Sequence, residues 1–207
     1  MAATGQKRVR EDPTVRRQKI LAAAEILIGE RGFNGVTLQD LARHVGLSNA
    51  GLLHYFASKD KLLLGLLEDI GRREIALSEP FNAAIREAER NGVSTLPAVR
   101  IFLDVLVQRF SDQLAQSRFL VVLQTESIDP AHPAHDWFQQ YEVQALHFMG
   151  QILAPFVPRP EMTARWLHAL LNGLGQQWLR APDTFNLLDE WQEALTLILP
   201  KDGTGAR

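Results

Sequence analysis

The chain has 207 residues, 46% of them hydrophobic, no cysteine and a formal charge of only −2. That length can bury a substantial core in one or two domains. The missing cysteines exclude a disulfide framework and thiolate metal centres and suit a reducing cytoplasm. No apolar run reads as a signal peptide or a membrane span, so a cytoplasmic protein is expected.

The small net charge hides an asymmetry. Residues 1–64 hold 10 Lys and Arg against 6 Asp and Glu, whereas residues 65–207 hold 12 against 18. A basic front and an acidic back are expected where only one end meets phosphate.

Residues 1–13 are polar, carry Lys7, Arg8 and Arg10 and end at Pro13, so they read as a disordered basic arm. Such an arm is either a solvated tail or a strap following the DNA backbone. From Thr14 the pattern turns helical, with Ile20, Ala24, Leu27 and Ile28 on one stripe and Arg16, Arg17 and Lys19 in the first turns. Gly32 and Gly35 close this helix around the apolar Phe33.

The next stretch, TLQDLARHVGLSNAGLLHYFASKDK (Thr37 to Lys61), reads as two short helices around a tight turn, followed by the start of a third helix. Thr37 is an N-cap residue type, and Leu38, Leu41 and Ala42 recur at helical spacing. Gly46 stands where the chain must reverse, a position that tolerates positive φ only without a Cβ. Ser48 caps a second short helix in which Leu52 and Phe56 share the buried side. Asn49, Ala50, His54 and Tyr55 are left for the surface. Helix, turn of about four residues, helix is the size of a helix-turn-helix, whose second helix enters the DNA major groove.

From Thr37 to Leu62 this ordered set resembles the DNA-binding domain of the tetracycline-repressor (TetR) family of one-component regulators. The likeness extends upstream through RRQKILAAAEILIGERGFNGVT, from Arg16 to Thr37. Where that family usually has a tyrosine in mid recognition helix, this chain has Leu53. The resemblance implies an all-α protein: a three-helix DNA-binding head over residues 14–74, with its helix-turn-helix at 37–56, and a helical ligand-binding and dimerisation body over 78–200. Residues 201–207 read as a disordered tail.

Ser58 is the N-cap candidate for the next helix, KDKLLLGLLEDIGRREIAL, which is apolar on more than one side through Leu62, Leu63, Leu66, Leu67 and Ile70. It suits a mechanical link between head and body. Lys59 at its start reaches a phosphate in the reading that the family motif favours, and is merely solvated in the other.

Base edges in the major groove are read by short or amide-bearing side chains. Asn49 matches adenine, Ala50 a thymine methyl, and Gly51 lets the backbone sit close to the duplex. His54 and Tyr55 lie one turn later, while Thr37 and Ser48 offer hydroxyls and helix-end amides to the backbone phosphates. With Arg16, Arg17 and Lys59 these form the candidate DNA-binding set.

Beyond about Pro80 there is neither strand-like alternation nor a repeat. Helices are expected near 80–90, 95–113, 115–127, 134–156, 161–180 and 184–199, separated by glycine and proline breaks. Pro97 fits a first helical turn. The last two helices carry apolar stripes, Leu167, Leu170, Leu171, Leu174 and Trp178 on one and Leu187, Leu188, Trp191, Leu195 and Ile198 on the other. TetR-type proteins pair such helices into a four-helix bundle, so a homodimer is implied, with Leu167, Leu170, Leu171, Leu174, Trp178, Leu188, Trp191 and Leu195 at the interface. The alternative is that both stripes are consumed by the protomer's own core.

Helical bundles hold ligands between helices. Candidate pocket residues are Phe102, Leu106, Phe110, Leu123, Trp137 and Tyr141, with Gln124, His147, Asn172 and Gln176 as polar handles. Leu120, Phe138, Phe148, Trp178 and Phe185 are further apolar candidates, and Glu126 and Gln177 further polar ones. The mixture suggests a small amphipathic or aromatic effector.

His132 and His135, near Asp136, have a spacing that can hold a metal, but Pro133 between them points to a helix-entry loop. No nucleophile elbow, phosphate loop, dinucleotide turn or paired-carboxylate arrangement stands out, so neither an enzyme nor a cofactor is expected. The expectation is a dimeric regulator, usually a repressor, that binds a palindromic operator and is released by an effector. A helical DNA-binding regulator without an effector is the other reading.

Overall fold

The computed structural model describes residues 11–200, so the expected arm is seen only from Glu11 and the tail lies outside the described residues. Those residues form nine α-helices and no strand. Helix α1 (Pro13–Arg31) starts where Asp12 accepts from the amides of Thr14 and Val15, and ends at Gly32 with φ of +74°. Helix α2 (Leu38–His44) begins in a capping box: the Thr37 hydroxyl accepts from the Asp40 amide while the Asp40 carboxylate accepts from the Thr37 amide. Gly46, at φ +67°, turns the chain into α3 (Asn49–Leu53), capped by Ser48.

Helix α4 (Lys59–Arg90) is one continuous helix, where the sequence suggested a break near Pro80. Pro80 withholds an amide from the carbonyl of Ala76, but both residues are exposed. Phe81, one residue on, is buried and stacks on Phe102 at 4.3 Å, so packing holds the helix through the proline. The body continues with α5 (Leu96–Asp112), α6 (Leu114–Glu126), α7 (His135–Leu153), α8 (Pro160–Arg180) and α9 (Leu187–Ile198).

Two apolar clusters organise the chain. The first joins α1–α4 to Phe119 and Leu123 of α6 and to Ala134 before α7, so the head and the near end of the body share one core. The close approach of α1 to α6 needs a glycine, since a Cβ at Gly29 would lie 3.0 Å from the backbone nitrogen of Phe119. The second cluster is formed by Phe81 of α4 with α5, α7, α8 and α9. Leu167, Trp191 and Leu195, expected at a subunit interface, are at most 1% exposed within it. They belong to the protomer's own core, because α9 packs on α5 and α8 through that face. Leu170, Leu171, Leu174, Trp178 and Leu188 are half-buried against the same cluster.

Candidate nucleic-acid interface and body cavity

The outer face of α3 is built by what its inner face buries. Leu52 and Phe56 are sunk in the head core, which turns Asn49, Ala50, Leu53 and His54 outward. Ser48 accepts from the Gly51 amide at 3.1 Å, fixing the start of the helix. Gly51 and Tyr55 are half-buried, and Tyr55 packs against the head core with its ring edge-on to His54. Thr37 is exposed at the start of α2.

The three cations expected to meet phosphate are engaged inside the head. Arg16 donates to the Val45 carbonyl at 3.3 Å and pairs with Glu11 at 2.7 Å, tying α1 to the end of α2. Arg17 lies 5.0 Å from the centre of the Phe56 ring. Lys59 sits 4.1 Å above the Phe33 ring, and its burial holds its ammonium below the usual lysine range, against the opposing pull of Asp60 and Glu126. Arg43, His44 and Lys61 are the exposed basic groups around α2 and α3. Two signals marked them in the sequence: Arg43 and His44 fall in the last turn of α2, off its Leu41–Ala42 stripe, and Lys61 falls in the first turn of α4.

Phe33 is the hub of the joint between head and body. Its amide donates to Glu126 Oε2 at 2.9 Å across 93 residues, and His132 packs edge-on to its ring at 5.1 Å. Burial holds the His132 imidazole below its ordinary range, opposed by Glu126 with Oε2 3.8 Å from Nε2. His135 Nδ1 contacts the Ser127 carbonyl at 2.8 Å, so both histidines of the HPAH segment are tied into this joint. Glu126 therefore leaves the set of pocket handles. Glu126→Ala would leave the half-buried Phe33 amide unpaired and should cost about 1–3 kcal/mol in urea unfolding.

A partly open cavity of about 580 Å³ lies between α4, α5, α6, α7 and α8. Among the expected pocket residues, Leu106, Phe110, Gln124, Tyr141, Asn172 and Gln176 line it, together with Leu120 and Phe138. Four do not. Leu123 is fully buried in the core shared with the head, and Phe102 stacks in the Phe81–Phe148 cluster. Trp137 stacks on Tyr141 at 5.0 Å and packs toward the head, while His147 is exposed on α7. Trp178, Phe185 and Gln177 also lie outside the lining. Phe110 reaches its place because residue 175 is glycine: a Cβ there would come within 2.6 Å of the ring.

Sequence reading missed the charged end of the cavity. Arg109 holds Glu74 through two bonds of 3.1 Å, and Gln116 donates to Glu74 at 3.4 Å. Arg73 donates to Gln116 at 2.9 Å and to Glu25 of α1 at 3.0 Å. A chain of polar contacts thus runs from the cavity wall into the head. Desolvation, and next the Glu74 charge, push the Tyr141 phenol up to about 12, with Arg109 opposing, even though 38% of the residue's surface is exposed. No periodicity marks such a cluster, because its members come from α1, α4, α5 and α6.

A helix-turn-helix head with its second helix turned outward, joined to a helical body with a cavity, is an arrangement suited to docking on duplex DNA. Residues 20–66 match the model of a family described as bacterial regulatory proteins, tetR family. Over those residues the chain carries the DNA-binding domain of that family. It is 35% identical over 102 residues to the HTH-type transcriptional regulator BetI of Brucella melitensis, an alignment covering 49% of this chain and 47% of that protein. It is 42% identical over 66 residues to BetI of Agrobacterium fabrum, covering 30% and 32%. The chain therefore spans about half the length of the curated relatives it matches.

Whole-fold similarity extends further. NalD, the secondary repressor of the MexAB-OprM multidrug efflux pump in Pseudomonas aeruginosa, superposes with a TM-score of 0.71 at 23% identity, covering 93% of this chain and 99% of that one. A protein from Saccharomonospora viridis, solved in complex with choline, superposes with a TM-score of 0.67 at 22% identity, covering 90% and 98%. No described helix is long and apolar enough to cross a membrane.

Proposed function

We propose that the protein is a homodimeric, ligand-responsive repressor of a palindromic operator. The observation that carries DNA reading is the outer face of α3: Asn49, Ala50 and His54 are exposed on a helix whose start is fixed by Ser48 and whose inner side is locked by Leu52. Thr37 and Ser48 would position the duplex backbone together with Arg43, His44 and Lys61. Arg16, Arg17 and Lys59 would mainly hold the head in shape.

The dimer surface is assigned to the outward stripes of α8 and α9. Trp166 is 55% exposed and Leu197 88% exposed, and a Cβ on Gly173 would meet nothing within 4 Å. Half-buried Leu170 continues the α8 stripe. Apolar surface of that kind is what a bundle of paired helices covers.

The cavity supports an effector-binding role over a regulator without a ligand. Its volume falls within the roughly 300–1,000 Å³ of small-molecule sites. The polar chain from Arg109 through Glu74, Gln116 and Arg73 to Glu25 gives an occupant a route to the head. Coupling of a few kcal/mol would suffice, because tight binding requires both half-sites to dock at once.

The test is selection from a random duplex pool at low salt, followed by titration of the enriched sequence. A two-fold symmetric site is expected. Asn49→Ala should relax preference at one base pair per half-site by roughly 1–3 kcal/mol. Enrichment of no sequence, or an unchanged preference in the variant, would overturn this assignment.

A further inference from the structure

We propose that His132 makes the joint between head and body a latch that a proton releases. The neutral ring closes the joint, and taking up a proton frees Phe33 and with it the head. The latch stands on the geometry of the joint, and only its effect on DNA rests on the operator-binding reading.

The His132 side chain is only 5% exposed and lies edge-on to Phe33, in the segment between α6 and α7. Its Nδ1 accepts from the Ala134 amide at 3.2 Å, inside the turn that leads into α7. That nitrogen therefore carries no proton, and the ring hydrogen is assigned to Nε2. Nε2 is buried without a hydrogen-bond partner. Glu126 Oε2 lies 3.8 Å from it and already accepts from the Phe33 amide at 2.9 Å. The carboxylate fits there because residue 32 is glycine: a Cβ at that position would collide with Glu126 Oε1.

A second proton has to go to Nδ1, where it would meet the Ala134 N–H head-on. The charged ring cannot keep that bond, and a site this closed gives it no water instead. Glu126 from α6, Asp129 from the turn and Asp60 from α4 favour the charged ring, while Lys59 from α4 opposes it. Burial outweighs the three carboxylates and holds His132 below its ordinary range. His135 beside it is tied through Nδ1 to the Ser127 carbonyl. An imidazolium that swung toward Glu126 would draw Oε2 off the Phe33 amide, and one that left would uncover the Phe33 ring, so either movement opens the joint. Because the closed joint binds this proton more weakly than the open one, it keeps its full stability at neutral pH. That stability is lost as pH falls from 6.5 toward the lower value of the closed state.

The experiment follows hydrogen exchange of the Phe33 amide in the full chain at about pH 7.5 and about pH 5.5, the lower value lying between the ordinary histidine and carboxylate ranges. After correction for intrinsic exchange, protection should fall about tenfold, the factor for a histidine that must be neutral in the closed state. His132→Asn should show no such fall, since its side-chain oxygen can take the residue 134 amide as Asp129 Oδ1 takes that of Ala131 at 2.9 Å. In the wild-type chain labelled with 15N-histidine, His132 should keep its proton on Nε2 alone until Phe33 loses protection. Constant protection in the wild type, an equal fall in His132→Asn, or a His132 ring that titrates while Phe33 stays protected would overturn the latch. The last reading needs no variant, so it decides even if His132→Asn does not fold. On the enriched duplex the wild type should lose up to about tenfold more affinity than His132→Asn between the two pH values. Equal losses would overturn the regulatory role of the latch. Binding of no duplex at the higher pH would remove the operator-binding reading, while the exchange and histidine measurements would still decide the latch.

Discussion

Trp191→Ala is expected to lower the stability of the folded chain by about 3–5 kcal/mol, the range for emptying a large aromatic site in a packed core. Trp191 heads the largest fully buried side chains of the described residues, at 1% exposure, in a cluster with Leu103, Leu167, Leu187 and Leu195. Its indole Nε1 has no hydrogen-bond partner, so what is lost is packing. Trp191→Glu should be worse, because it places an unpaired charge where the ring was. Urea unfolding followed by circular dichroism measures both. A variant of unchanged stability that elutes as a monomer would instead put Trp191 between subunits and refute its placement in the protomer core.

The complementary substitution reads the opposite way. Trp166→Glu combined with Leu197→Glu changes two exposed positions, one on α8 and one on α9, and should leave the helical content of each protomer intact. The variant should elute as a monomer. Its affinity for the full palindromic duplex should fall about 10²–10⁴-fold, because two heads held together act at a high effective concentration on the second half-site. Binding to a single half-site should change little, which separates a lost interface from a lost reader. A dimer that persists would move the interface to another face, and an equal loss on half-sites would point to damage within the head.

These two results separate positions that look alike in the sequence. Leu167, Trp191 and Leu195 were expected at the interface because they lie on apolar stripes, and a stripe shows only that a face is covered. Whether the cover is α5 or a second subunit is a tertiary question, settled for these residues by the packing of α9 on α5 and α8. Trp166 and Leu197 stand apart from those stripes, and only the folded structure shows how far they protrude. The same limit applies to Lys59: its position in the motif suggests phosphate, while in the fold its ammonium lies over the Phe33 ring.

Local chemistry was legible wherever its partners are neighbours in the chain. The caps at Thr37, Ser48 and Ser58, the positive φ of Gly46, the outward set of α3 and the limits of α5 to α9 all depend on interactions within a few residues. Those interactions operate in any chain that forms the helix, so the sequence alone determined an all-helical protein with a helix-turn-helix head. Tertiary structure decided what needs distant partners: the joint of Glu126 with Phe33, the Arg109–Glu74–Gln116–Arg73 chain, and the four expected pocket residues that lie outside the cavity wall. The physical reason is that helical periodicity specifies which side of a helix is covered, whereas the identity of the cover depends on how whole helices pack against one another.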